Sequence, residues 1–347
     1  MNENTSTSNT PDCNSKLHVN SSFSESEMDK VLQASWIAKD GTLYASSFNT
    51  IYKSADNGET CKQLKAFDCK GLDSIFVNKE NSVFVSPGLD ASASDAGLWR
   101  SINGGITWNR VLSLSLSCSI WAIDEDSKGR LFAGIYTRGQ TKNARIYRSD
   151  DFGASWRSIF FDSKARHIHF VTVDKATDNI YASVGDKSVP ESNVAYVLRS
   201  VDGGNNWKRI LKHIPQIVAI KTIRGERLFG TDDVGNGELY RTTDDKKFCK
   251  VLDTGAHSCC FWIRQDEVSG RIYASFVSGE AAKKTSGIYV SDDNGLTWSV
   301  YRSFKTNLPY EGSSRSSNFC NGIMYFSVRL EGSQKNGVKV FKQSEIV

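Results

Sequence analysis

His167 and His169 stand two residues apart in the run RHIHFVTVD, which has the alternation of a β-strand. Side chains at that spacing leave an extended strand on one side, so the two imidazoles share a direction. Imidazole titrates near neutral pH, which suits it to general acid–base work. Asp186, in the run SVGDKS, stands where a carboxylate can accept an imidazole N–H and orient the ring. Tyr136 ends the run GRLFAGIY, Arg138 follows it, and Arg166 precedes the histidine pair. His213, His257, Asp232 and Asp233 also fall at the ends of strand-like runs, while His18 lies in the N-terminal tail. Two readings stand side by side: a catalytic group of His167, His169, Asp186 and Tyr136, or histidines that merely bond nearby carbonyls. Imidazole is also the commonest metal ligand. The sequence assures it no carboxylate partner, so neither a metal nor a cofactor is expected.

These residues are carried by a repeat. Six segments align: SADNGETC from Ser54, SINGGITW from Ser101, SDDFGASW from Ser149, SVDGGNNW from Ser200, TTDDKKFC from Thr242 and SDDNGLTW from Ser291. Successive starts are 47, 48, 51, 42 and 49 residues apart, the length of one four-stranded propeller unit. In each segment an Asp or Asn two places after the Ser or Thr can bond the N–H groups of its own turn. Glycine supplies the positive φ that the turn needs, and the closing Trp packs over the hairpin. The copy from Thr242 lacks both Gly and Trp, so a looser turn is expected there. Between segments the order is constant: a run such as SIWAIDED, a turn, GRLFAGIY, a variable loop, ARIYRSDD, the segment, then WRSIFF. Runs rich in β-branched and aromatic residues, bounded by Gly, Asp and Asn, are strands.

The six segments resemble the Asp-box, the S-x-D-x-G-x-T-W turn of sialidases, sortilin-type receptors and several glycan-active propellers. The resemblance runs over nearly the whole chain from about Val31. It implies an all-β, seven-bladed β-propeller, with six blades as the alternative, and Asp-box turns between third and fourth strands. Residues 1–16 are expected to be a polar tail and 17–347 a single propeller domain. The final runs GIMYFSVR and GVKVFKQ leave the last blade short of a strand, which a stretch within Leu17–Met28 is expected to supply.

In Asp-box families the boxes lie on the outer rim and serve the fold, so function belongs to the opposite face and its central funnel. That places His167, His169, Asp186 and Tyr136 as the catalytic candidates. Arg166, Arg138, His257, Arg264, Arg329 and Trp121 are the ligand-binding candidates. Trp36, Trp121 and Trp262 lie on first strands, where they either pack between blades or line the channel. A sialidase would place three arginines on the substrate carboxylate, a Tyr–Glu pair and an acidic Asp, and would show R-I-P in its first blade. Here that blade reads SWIAKDGTLYASSFNTIY, with neither Arg nor Pro, so sialidase activity is not expected. The resemblance implies a carbohydrate-directed protein, binding or processing an oligo- or polysaccharide. The alternative is a non-catalytic scaffold for a protein partner.

Composition narrows the partners. The chain has 347 residues, 39% hydrophobic and 11% aromatic, enough for a substantial core. Its 43 basic and 39 acidic residues give a net charge of only +4, with no basic cluster interleaved with aromatics, which argues against nucleic acid. No apolar run approaches the roughly 20 residues of a membrane span, and the N-terminus lacks the form of a secretory signal. A cytoplasmic protein without a membrane partner is expected. Eight scattered cysteines read as small buried hydrophobes in a reducing compartment.

Overall fold

The computed structural model describes residues 32–139, 141–186, 194–211, 216–232, 237–255, 257–278, 286–304, 312–329 and 339–342. The expectations for His18, His213, Asp233, Cys13 and the segment Leu17–Met28 fall outside them. The described residues form six four-stranded antiparallel sheets and one of three strands, each a simple meander in chain order. The third sheet comprises Cys118–Glu125, Leu131–Thr137, Ala144–Ser149 and Arg157–Asp162. The fourth comprises Ile168–Val173, Ile180–Val184, Tyr196–Ser200 and Lys208–Leu211. The three-stranded sheet is Gly312–Ser316, Tyr325–Arg329 and Lys339–Lys342. First strands touch in sequence from sheet to sheet, and the first strand of the last sheet touches that of the first. This is a β-propeller architecture.

Each sheet is apolar on both faces because it is sandwiched between neighbours. Ile146, Val171, Ala182 and Leu198 of the third and fourth sheets are buried in one such layer, with Trp207 packed against it. The outermost strands read instead as exposed, exposed, half-buried, half-buried, as in Arg157–Asp162.

The box turns close the outer hairpins through one buried hydroxyl. In the copy at Ser149, Oγ donates to Asp151 Oδ1 at 2.7 Å and accepts the Gly153 N–H at 2.7 Å. Asp151 Oδ1 also accepts the Ser155 N–H at 2.9 Å, and Trp156 Nε1 donates to the Gly153 carbonyl at 3.3 Å. Gly153 has φ of 89°, and a Cβ there would stand 2.3 Å from the Phe84 ring. Only glycine meets both demands.

The copy at Thr242 is not simply looser. Its hydroxyl bonds lengthen to 3.3 and 3.1 Å, and the turn is one residue shorter, Arg241 pairing with Cys249 where Arg148 pairs with Arg157. Asp245 is its positive-φ residue, at 58°. Its carboxylate is then held by Arg227 at 2.6 Å and Arg199 at 3.1 Å, and Tyr181 donates to it at 3.2 Å. An ion-paired side chain braces the shorter turn. The cysteines also depart from expectation. Cys118, Cys259 and Cys260 are buried, but Cys249 is exposed, and Cys61, Cys69 and Cys320 are half-buried. At Cys61 the short thiol stands in the box Trp position, but in the shorter turn at Thr242 Phe248 takes that place, edge-on to Phe229 at 5.7 Å, and Cys249 opens the outer strand.

Trp156 packs edge-on against Phe84 at 6.4 Å between ring centres, yet it is only half-buried. Trp156→Ala should therefore cost about 2–3 kcal/mol, below the roughly 3–5 kcal/mol of a fully buried aromatic. Chemical denaturation checks this, and any ligand binding should persist in the folded fraction.

Candidate functional site

A register slip recurs in the first strands and points one extra residue at the axis. Ile168 pairs with Val184 and Phe170 with Ser183, leaving His169 as the extra residue. The same slip singles out Asp73 in the second sheet, Trp121 in the third, Val218 in the fifth and Phe261 in the sixth. All five line a channel cavity of about 910 Å³, together with Trp36, Tyr136, Lys221, Asp232, Arg264, Arg315 and Phe319. A β-bulge bends its strand and re-aims a side chain, which is what an inner edge facing a channel requires.

The slip decides between the two readings of Trp262 in favour of packing. That indole is only 2% exposed and packs with Phe326 and Met324, while Phe261 takes the fully channel-facing place. His169 likewise reaches the channel as a bulge residue rather than by plain alternation.

Behind the wall His167, His169 and Asp186 converge, at 0%, 6% and 3% exposure. His167 Nδ1 lies 2.9 Å from the Thr137 carbonyl, which can only accept, so Nδ1 carries the proton and Nε2 presents a lone pair. His167 Nε2 stands 3.0 Å from His169 Nε2, which stands 2.8 Å from Asp186 Oδ1. One proton on His169 Nε2 satisfies this contact and leaves His169 Nδ1 buried without a partner. Arg166 Nε approaches His167 Nδ1 at 3.3 Å, but that atom is a donor. The guanidinium instead pairs with Asp186 Oδ2 at 3.0 Å. Asp186 is placed by Gly185, whose φ is 76° and whose N–H donates to the His167 carbonyl at 2.8 Å. A Cβ at that glycine would lie 1.8 Å from the Val194 carbonyl oxygen.

Trp121 stacks on Tyr136 with centroids 3.4 Å apart, and Tyr136 stacks on His167 at 4.0 Å. Burial first, and then the charge of His169, pushes the His167 imidazole down to about 4. Burial raises the Tyr136 phenol to about 12. For Asp186 burial works upward, but the hydrogen bonds of the imidazole pair prevail and hold the carboxyl well below the usual range. Asp232 is the opposite case, raised by burial although His169 and His257 pull it down. Gln216 Nε2 bridges the two environments, 3.4 Å from both His169 Nε2 and Asp232 Oδ2.

The structure thus joins Tyr136, Arg166, His167, His169 and Asp186, with Trp121 and Asp232 alongside. Half-buried His257 belongs to the same end, through its charge on Asp232. Arg138 is exposed beyond the strand end. Arg264 stands apart. It lies five residues along its strand from Cys259, which bridges Asp232, so roughly 16 Å separates it from that end. There its Nε donates to the Ser317 carbonyl at 2.9 Å, and burial lowers it to about 10. Arg329 closes its strand, and its side chain lies outside the described residues. Sequence reasoning missed Asp73, Gln216 and Arg315. Asp73 accepts from Trp121 Nε1 at 3.2 Å, and it occupies the bulge place that Trp121 holds one repeat later. Alignment of the repeats on Trp121 would have found it.

The BNR/Asp-box repeat family matches residues 289–300. No curated protein matches the chain by sequence. Among solved structures, the GH74 xyloglucanase from Xanthomonas campestris is 15% identical with a TM-score of 0.63. It covers 90% of this chain, which spans only 54% of the xyloglucanase. YCF48 from Cyanidioschyzon merolae is 17% identical with a TM-score of 0.60, covering 90% of this chain and 95% of its own. Virginiamycin B lyase from Staphylococcus aureus is 14% identical with a TM-score of 0.64, covering 92% and 96%. At such identities the likeness is one of fold. The chain is a β-propeller of the Asp-box, or BNR, repeat type.

A pH dependence follows from His167. Its folded value near 4 lies below the ordinary 6.5, so the unfolded chain takes up the proton first. Stability is full above about pH 6.5 and is lost as pH falls through about 4, by on the order of 3 kcal/mol. Melting curves with a chelator present should fall steeply from pH 7 to pH 5. His167→Asn should flatten that slope, and an unaltered slope would contradict the assignment.

Proposed function

We propose that this is a carbohydrate-directed propeller that takes a saccharide in its axial channel and acts on it at the His169 wall. The observation that carries the reading is the make-up of that wall. Flat aromatic faces, Trp121 stacked on Tyr136 with Trp36 and Phe261 nearby, stand among Asp73, Asp232, Lys221 and Arg315 in a cavity of about 910 Å³. Sugar rings offer apolar C–H faces to aromatic planes and hydroxyls to charged groups, and the cavity volume suits a short oligosaccharide. The wall also separates proton roles. Burial favours the neutral form of Asp232 and Tyr136, while His167 Nε2 presents a lone pair and hydrogen bonds favour the ionised form of Asp186. Two carboxyls driven in opposite directions are the usual mark of divided acid and base duties. The GH74 neighbours are glycoside hydrolases, which supports the substrate class. In virginiamycin B lyase, a histidine-to-alanine variant is catalytically inactive.

The second reading, a scaffold for a protein partner, draws on YCF48 bound to D1 peptide, a neighbour of nearly this chain's length. A glycan array with mass spectrometry of products separates the two. A discrete set of glycans should bind, with affinity reduced at least about tenfold by Trp121→Ala. Asp232→Asn should keep binding and lose product formation. Retention of peptides but no glycan would favour the scaffold.

We further read the ring as seven-bladed, with a stretch within Leu17–Met28 as the fourth strand of the last sheet. Removing residues 1–16 should leave the melting temperature unchanged, and removing 1–28 should lower it by several degrees. Equal melting for both would exclude that closure.

A further inference from the structure

The atoms His167 Nε2, His169 Nε2 and Asp186 Oδ1 form a triangle with edges of 3.0, 2.8 and 3.4 Å. Ligand atoms about 2.0–2.1 Å from a tetrahedral zinc ion stand about 3.3 Å apart. Three lone-pair donors therefore already stand close to the spacing of one face of such a site. The set is gathered from one sheet and its links: a residue just before the first strand, the bulge residue on it, and the residue that Gly185 turns inward after the second. All three side chains are buried.

What lies behind these atoms is built for ligation rather than for proton storage alone. His167 Nδ1–H is committed to the Thr137 carbonyl at 2.9 Å, which fixes the tautomer and leaves Nε2 free to coordinate. Tyr136 stacked on the ring holds its plane. Arg166 Nε at 3.0 Å from Asp186 Oδ2 fixes the carboxylate and leaves Oδ1 to the cluster. A single shared proton is all that now joins two imidazoles and a carboxylate. His169 lines the channel, so a further coordination position can open toward it.

We propose that His167, His169 and Asp186 form a binding site for one borderline divalent transition-metal ion, of the class of Zn²⁺ or Co²⁺, on the wall of the axial channel. Two imidazoles and one carboxylate suit that class and disfavour the all-oxygen preference of Mg²⁺ or Ca²⁺. On binding, the ion displaces the proton between His169 Nε2 and Asp186 Oδ1. That imidazole proton then resides on Nδ1, the atom that has no partner in the described structure. The site rests on the cluster's geometry alone and holds whether the channel takes a saccharide or a peptide. With the ion in place the three residues act as ligands, and proton transfer falls to Asp232 and Tyr136.

The test is titration of chelator-stripped wild-type protein with Co²⁺, followed by visible absorption, and with Zn²⁺ by calorimetry. One equivalent should bind per chain, with d–d bands of low-coordinate Co²⁺ and no thiolate charge-transfer band, which sets aside the cysteines. Affinity should fall as pH is lowered, because protons compete for the same lone pairs. His169→Gln and Asp186→Asn should each weaken binding by at least about a hundredfold. Arg166→Met, which removes the ion pair on Asp186 Oδ2 but no ligand atom, should weaken it by about tenfold. Circular dichroism at the titration temperature shows whether each variant is folded. If wild-type protein takes up neither ion, the proposal fails whatever the variants do. It fails equally if folded Asp186→Asn binds as well as wild type, or if the Co²⁺ spectrum is that of a thiolate site. Glycan binding is read separately, so loss of one reading leaves the other standing.

Discussion

The inner strand of a propeller sheet must do two things at once. Its side chains fill the layers between neighbouring sheets, and its edge faces a channel. A strictly alternating strand serves only the layers, since its two faces are both turned toward neighbours. The extra residue at Asp73, Trp121, His169, Val218 and Phe261 resolves this, because each is a place where pairing slips and a side chain escapes to the axis. The chemistry of the channel is largely the chemistry of those places.

The chain fills them unequally. One is a carboxylate, one an indole, one an imidazole and two are apolar, so the channel is asymmetric although the scaffold is repetitive. The His169 place gathers the most, because the link before its strand contributes Arg166 and His167 and the turn after the second strand contributes Asp186. Gly185 makes the last possible by turning where no Cβ could fit. The outer rim is kept out of this chemistry. Its Ser–Asp–Gly turns satisfy their own hydrogen bonds, and Asp56 and Asp151 are each held down to about 2 by hydrogen bonds within their own boxes, against the pull of burial.

Where a turn departs from the pattern, the fold compensates in kind. The turn at Thr242 is one residue shorter, and its left-handed Asp245 is tied by two arginines and a tyrosine. The loss is local and so is the repair, as expected where each sheet depends mainly on its neighbours.

The sequence alone determined the all-β class, the repeat length and the positions of the six box turns. Those are local matters: turn residues and alternation act within a few positions and can be read within a few positions. It also brought His167, His169, Asp186, Tyr136 and Arg166 together on paper, because Tyr136 ends the second strand of one repeat and the others stand at the same end of the next. The tertiary structure decided the rest. It chose packing for Trp262 and gave Phe261 the channel-facing place, since a one-residue slip in pairing leaves no mark on composition. It set Arg264 at the far end of the channel, made Asp73 and Arg315 channel neighbours although they come from different sheets, and put Gln216 between His169 and Asp232. It also gave the imidazole pair the carboxylate that spacing could not assure. Contacts between sheets, and the slips that aim single residues at the axis, arise only when the strands pair and the sheets close around a common space.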